Sequence, residues 1–426
     1  MAEKTTHRIS RFIAAILPGI FLMGYNIGTG SITAMSKAGA NFGLDLLWTV
    51  LLSCIITYYL ILHFSKYTMV TGETIIEGIK KHIHPAAAIF LVCTLSFIIL
   101  AALMGLLGLL GNVVSIWSGT WGFLDHAIPS AWACVGISVF LYLLLLVGRI
   151  SFFEKVLAVL VAIMGVTFLY TMIISANSLE LADFAKGFIP KIPDLAEGSD
   201  NSPGVIIAGM VGTTVSVFAF VIRSILVKQA GWKLQDQATQ KHDALISVAL
   251  MFVISAAIMI TAAATLFKSG LKVNNIGEMI PMLEPFFGAG ALSLFVFGIL
   301  AAGISSHLPN LLVIPWLLLD LKGGNRDLRS AGVRLTLLAL TIWATAMASL
   351  GYKPVFIMMI SQACISVVLP FAVGCLFFLT SKASLMGDER NRPRDMIALT
   401  LVMIFALYMS SLAIRGLIED ILSIMG

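Results

Sequence analysis

About eleven apolar runs, most of them near twenty residues long, leave this chain few ways to fold. They lie at about 11–36, 46–65, 86–115, 129–148, 153–177, 203–227, 243–268, 286–316, 331–350, 355–380 and 395–414. A run of that length crosses the hydrocarbon core of a bilayer as a helix. Charged residues are only 12% of the chain, half the share usual in soluble domains. Strands of a membrane barrel would alternate polar and apolar positions, and these runs do not. The chain therefore reads as an all-α polytopic membrane protein, one transmembrane domain over 1–426, with the lipid bilayer as its first partner.

In lipid, every backbone polar group needs a partner within the protein. A run with helix-breaking residues at mid-depth is thus informative, and two runs have them. Gly28-Thr29-Gly30-Ser31 interrupts the first, and Gly212-Thr213-Thr214-Val215-Ser216 the sixth. Paired interruptions in corresponding places of two halves point to a transporter's substrate site. The spans divide as five plus five in an inverted repeat, about 11–177 and 203–380, with an extra helix at about 395–414. The expected substrate-binding residues are Gly28, Thr29, Gly30, Ser31, Thr213 and Ser216. A half-helix N-terminus at the first break offers free backbone N–H groups, which suit an anionic group. Gly105, Gly108 and Gly111 in the third run read instead as close helix contacts. Cys54, Cys93, Cys134, Cys364 and Cys375 all lie in apolar runs without a C-x-x-C pair, so they read as core residues.

Basic residues orient the spans. With the N-terminus inside, 20 of the 27 Lys and Arg fall in inner segments. Lys4, Arg8 and Arg11 precede a run too long for a signal peptide, so the first helix reads as retained. The outer set includes Lys37, Lys268, Lys272 and Lys353, and the longest loop, 177–202, is outer and acidic. An integral protein of a prokaryotic plasma membrane with a cytoplasmic N-terminus follows. The net charge of +5 is spread over loops and does not suggest nucleic acid as a partner. No H-E-x-x-H and no intramembrane Asp pair occurs, so an enzyme is not expected.

Several short stretches are similar to one family. Ala38-Gly39-Ala40-Asn41-Phe42-Gly43 followed by Leu46-Leu47-Trp48 looks like its "AGAxFGYxLLW". Thr71-Gly72 resembles its "TG" after helix two, and Ala301-Ala302-Gly303-Ile304-Ser305-Ser306 its "AAGxSS" in helix eight. Ser361-Gln362 with Leu369-Pro370-Phe371-Ala372 resembles "SQ…LPFA" of helix ten. Thr380-Ser381 with Leu385-Met386-Gly387 resembles "TS…LMG". In this order the pieces resemble the Nramp family of proton-coupled divalent-metal transporters. The resemblance implies a LeuT-type fold with broken helices one and six, secondary transport, and a metal ion as substrate class.

The departures fall on the family's site. Its first break, Asp-Pro-Gly-Asn, is matched by Gly28, Thr29, Gly30 and Ser31. Its Met-Pro-His in helix six is matched with Ser216 at the Met and Phe218 at the His, and Arg223 takes the place of a second His. Its acidic pair in helix three falls at Ala102 and Gly105. Of the family's ligands, the resemblance retains Gln362. Metal-ligating residues are therefore expected to be absent, and no cofactor is expected.

A neutral oxygen set offsets the dehydration of a dication poorly. The resemblance to metal transporters thus stands beside an alternative, a small polar, anionic or zwitterionic organic solute. A non-transporting sensor or scaffold on the same fold is a further alternative. Arg223, two turns past Ser216, reads either as a positive charge beneath the site or as an arginine snorkelling to the inner interface; the plainer reading is the second. His307 is the one central ionisable group, either structural or a coupling residue. No Asp or Glu is expected well inside a span. Substrate identity, coupling ion and oligomeric state are not legible.

Overall fold

The computed structural model describes residues 28–121, 126–147, 150–176, 179–323 and 330–425. Among them the regular structure is helical, without strands. The main helices are α1 (Thr29–Phe42), α2 (Leu47–Thr71), α3 (Ile75–His82), α4 (Pro85–Ser118), α5 (Ser130–Val147), α6 (Ile150–Ala176) and α7 (Leu181–Gly187). Then come α8 (Pro203–Thr214), α9 (Val217–Ala230), α10 (Gln237–Ala262), α11 (Ala291–Lys322), α12 (Ala331–Ala348), α13 (Pro354–Ser381) and α14 (Pro393–Met425). Among the described residues eight continuous or paired segments are long and apolar enough to span a bilayer, and parts of α5 and α6 form two shorter apolar helices. The part of the first span before Gly28 lies outside the described residues.

Burial orders these helices from centre to rim. The most apolar stretch of α8–α9 is buried over its whole length, whereas those of α12 and α14 are buried over 28% and 33%. α8 and α9 are therefore the axis, and α12 and α14 face lipid. α13 packs on α4, α8 and α14, while α10 packs on α1, α2 and α6. Small residues make these approaches possible. A Cβ on Gly111 would press on the Ser130 backbone oxygen at 2.8 Å, and one on Gly108 would meet Pro354 at 3.1 Å. The glycines of the third run are helix contacts, as expected.

Both ends of the bundle are tied by polar residues. At the end bearing most basic loops, Thr74 caps α3 and forms a capping box with Glu77. Thr74 Oγ1 also donates to Asp320 Oδ2 of α11, and Ile75 N–H donates to Ser224 Oγ of α9. Glu77 pairs with Lys228 of α9. At the other end α7 and the coil after it lie over the α1–α2 turn, where Lys191 pairs with Asp45 at 2.7 Å.

Burial raises the Glu77 carboxyl, but the hydrogen bonds from Lys228 and the Thr74 N–H outweigh it and leave it below its ordinary 4.5. Its contribution to stability is therefore full above the ordinary value and is lost as pH falls through the depressed folded one. In detergent, the apparent melting temperature should fall on acidification from about pH 5 to about pH 3. Glu77→Gln should lower it by about 2 °C at neutral pH and flatten that fall.

Candidate functional site

The first break is a helix start. Gly28 is the N-cap of α1, extended at φ −90° and ψ −169°, and among the described residues no side chain caps the helix. The first intrahelical bond runs from Ile32 N–H to Gly28 O. The second break falls at Val215-Ser216, between α8 and α9. Its freed Thr214 carbonyl accepts from Thr57 Oγ1 of α2 at 2.8 Å. Gly212, expected within the break, lies inside α8. Its role is close packing: a Cβ there would collide with the Gln362 backbone oxygen.

Between the breaks lies a cavity of about 40 Å³ lined by Gly30, Ser31, Thr213, Ser216 and Gln362. Five of the expected substrate-binding residues thus meet at one place. Gly28 and Thr29 do not line it; Thr29 is buried beside it, its Oγ1 without a partner among the described residues. The apolar wall is Ala102, Leu106, Phe218 and Ile365. Ala102 and Phe218 are two positions where the family resemblance would place an acid and a histidine. Ser306, Asn310 and Met358 complete the lining and were not among the expected residues. Each carries a signal. Ser306 and Asn310, like Met358 and Gln362, are four apart and share a helix face.

Glycine sets the position of the central amide. A Cβ on Gly30 would sit 2.8 Å from Gln362 Nε2, so Gly30 makes room for that side chain. Ser31 Oγ lies 3.4 Å from Ser255 Oγ of α10. Pro309 within α11 removes a helical donor one turn from Ser305, and Asn310 Nδ2 donates to Ser306 O at 2.9 Å. Among the described residues the polar lining is therefore hydroxyl, carboxamide, thioether and backbone, without a formal charge. Among the described residues no three His, Cys, Asp or Glu side chains are grouped to hold a metal.

The charged residues differ from expectation. Arg223 neither snorkels nor faces the cavity. It is fully buried, paired with Asp243 at 2.5 Å, bonded through Nε to Ser65 Oγ at 3.2 Å, and 5.2 Å from the Trp232 ring. Asp243 is a buried carboxylate inside a span, which was not expected. α10 starts at Gln237, earlier than the apolar run indicates, and carries Asp243 into the core. Lys37, taken as an outer topology residue, is fully buried within α1. The loop asymmetry in basic residues survives removal of both. His307 is buried outside the cavity lining, with Nδ1 unpartnered among the described residues.

Gly212→Ala should lower stability by about 1–3 kcal/mol, because the colliding atom is backbone. Gly30→Ala should fold normally, because only the tip of Gln362 must move, but should weaken ligand-induced stabilisation. Asp243→Asn alone should cost about 3–5 kcal/mol, and Arg223→Met with Asp243→Leu much less, since the lone charge is what costs. Apparent melting temperatures of the purified variants check all three.

A family model described as natural resistance-associated macrophage protein-like (Nramp) matches residues 19–418. The divalent metal cation transporter MntH of Caldanaerobacter subterraneus is 24% identical over 414 residues, 95% of this chain and 93% of that protein. Among solved structures, the Eremococcus coleocola manganese transporter in complex with an aromatic bis-isothiourea compound matches with a TM-score of 0.73. It is 20% identical, over 97% of this chain and 88% of its own. MhsT in complex with L-phenylalanine matches with a TM-score of 0.63 at 13% identity, over 95% and 98% of the two chains. At these identities the solved structures carry the fold, which is LeuT-type.

Proposed function

The chain belongs to the Nramp family, and from that premise we propose that it is a secondary membrane transporter working by alternating access around the two breaks. The halves 11–177 and 203–380 are the moving repeats, and the N-terminus is cytoplasmic. The observation that carries this reading is the cavity between the breaks, lined by Gly30, Ser31, Thr213, Ser216 and Gln362.

The cargo class follows from the relatives, named for divalent metal and for manganese. How a metal could be carried follows from the lining. Neutral oxygens, amides and one thioether return less free energy than full dehydration of a dication costs. The cargo is therefore a metal ion that keeps part of its water shell and binds weakly. Proton coupling through the cavity lacks a carrier among the described residues, because no carboxylate or imidazole of theirs lines it. A second reading, a small polar or zwitterionic organic solute, is favoured by the start of α1 at Gly28, for which no side-chain cap is found among the described residues. Its free N–H groups match a carboxylate.

The test is uptake by liposomes containing the full chain. Manganese and magnesium uptake should half-saturate at or above about 1 mM, without acidifying the interior. Ser31→Ala with Ser216→Ala should lower it at least about tenfold. Saturation at micromolar metal would contradict the neutral site. Metal-independent stabilisation by an amino acid or small organic acid, with no metal uptake, would decide for the second reading.

A further inference from the structure

Lys37 is the residue that neither the topology nor the cavity accounts for. It lies in α1 seven residues past Gly30, on nearly the same face and about 10 Å toward the acidic-loop side. The side chain is fully buried. An ionisable side chain at such depth in a span calls for a functional reason. An ammonium has three donors. The partner found for it among the described residues is a neutral oxygen, Asn274 Oδ1 at 3.2 Å.

The surrounding charges are committed elsewhere. Asp200, Glu278 and Asp420 are the carboxylates whose field reaches Lys37, and Lys353 the cation. Asp200 pairs with Lys353 at 2.8 Å. Glu278 accepts from Asn274 N–H at 2.6 Å. Asp420 accepts from Asn201 Nδ2 at 2.9 Å and Ser202 N–H at 2.7 Å.

Asn274 is the common point of this network. Its Oδ1 also accepts from Asp200 N–H at 3.1 Å, and its Nδ2 donates to Gly198 O at 2.7 Å. The tied segments are continuous with the cavity walls. Lys37 shares α1 with Gly30 and Ser31, the 198–202 coil enters α8 with Thr213, and Lys353 precedes Met358 and Gln362 on α13. Closing these segments together closes the cavity on that side.

We propose that Lys37, held by Asn274, is the latch of the outer gate, and that the Asp200–Lys353 pair is its second strap. The proposal rests on the alternating-access reading above. A neutral acceptor suits a latch, because a bond to an amide is released more readily than a buried ion pair. The inner counterpart, Arg223 with Asp243, is a full ion pair.

The test uses intact cells expressing the full chain with a Ser31→Cys reporter in the cavity. Small membrane-impermeant methanethiosulfonate reagents, one cationic and one anionic, are added outside, and labelling of the chain without the reporter is subtracted. Lys37→Met should raise the reporter's labelling rate about tenfold and Asn274→Asp, which turns the latch into an ion pair, should lower it about tenfold; Lys37→Arg should stay within about twofold. A merely structural lysine would not move in opposite directions in the first two variants. Should Lys37→Met fail to fold by size exclusion, Asn274→Asp and Asp200→Asn carry the test, the second raising the rate. Labelling that these variants leave unchanged overturns the latch alone. No labelling of the reporter in any variant overturns the latch together with alternating access.

Discussion

A helix broken at mid-membrane must have its freed backbone groups met by protein, and the rest of this structure is arranged around that requirement. At the second break the Thr214 carbonyl is met by Thr57 of α2. At the first, Gly28 O is met by Ile32 within the next turn. α13 is pressed against both breaks, with room left for Gln362 at Gly30 and for its own backbone at Gly212. A lost hydrogen bond in hydrocarbon costs several kcal/mol, so these contacts hold the cavity's shape before any ligand arrives. The break and its supports are one unit. This is why the breaks persist while the residues standing on them differ from those of the resembled family.

The distribution of charge is the second consequence. The cavity has none, while buried charges lie to either side of it: Lys37 beyond α1's start and the Arg223–Asp243 pair beyond α9's. A dication in the cavity would meet no countercharge in the described lining. The Arg223–Asp243 pair is close to neutral as a unit, so its field falls off quickly. Lys37 is a single charge, but it faces three carboxylates on neighbouring segments. The outer approach is therefore close to balanced.

The spans, the pairing of the breaks and five of the cavity's residues were legible in the sequence because each leaves a local mark. Apolar runs mark spans, and Gly with Ser or Thr at mid-run marks a break. Gly212 was legible as unusual but misread, since a hinge glycine and a packing glycine look alike until the neighbouring helix is placed. Asp243 was missed because the polar first turns of α10 precede its apolar run, and burial of that end depends on Arg223, Ser65 and Trp232 from elsewhere. Asn310 and Met358 were missed for a similar reason. Each pairs at i,i+4 with a residue that was noticed, but which face of α11 or α13 looks inward is decided by tertiary packing. Lys37 and Arg223 were read as loop and interface charges because basic residues near span ends usually are.

Family membership and site chemistry are decided at different scales. The match to the family model runs over 19–418, nearly the whole chain. The chemistry of transport rests on a handful of positions around the cavity. Ala102, Phe218 and Ser31 line that cavity at positions where the family resemblance would place an acid, a histidine and an asparagine. Among the described residues the lining offers hydroxyl, carboxamide, thioether and backbone groups, on a scaffold that matches the family over nearly its whole length. A chain can thus keep the family's architecture throughout and still bind by a different principle at the centre. Under the proposed reading that principle here is the geometry of two half-helices around a cavity, with backbone dipoles and side-chain amides in place of carboxylates.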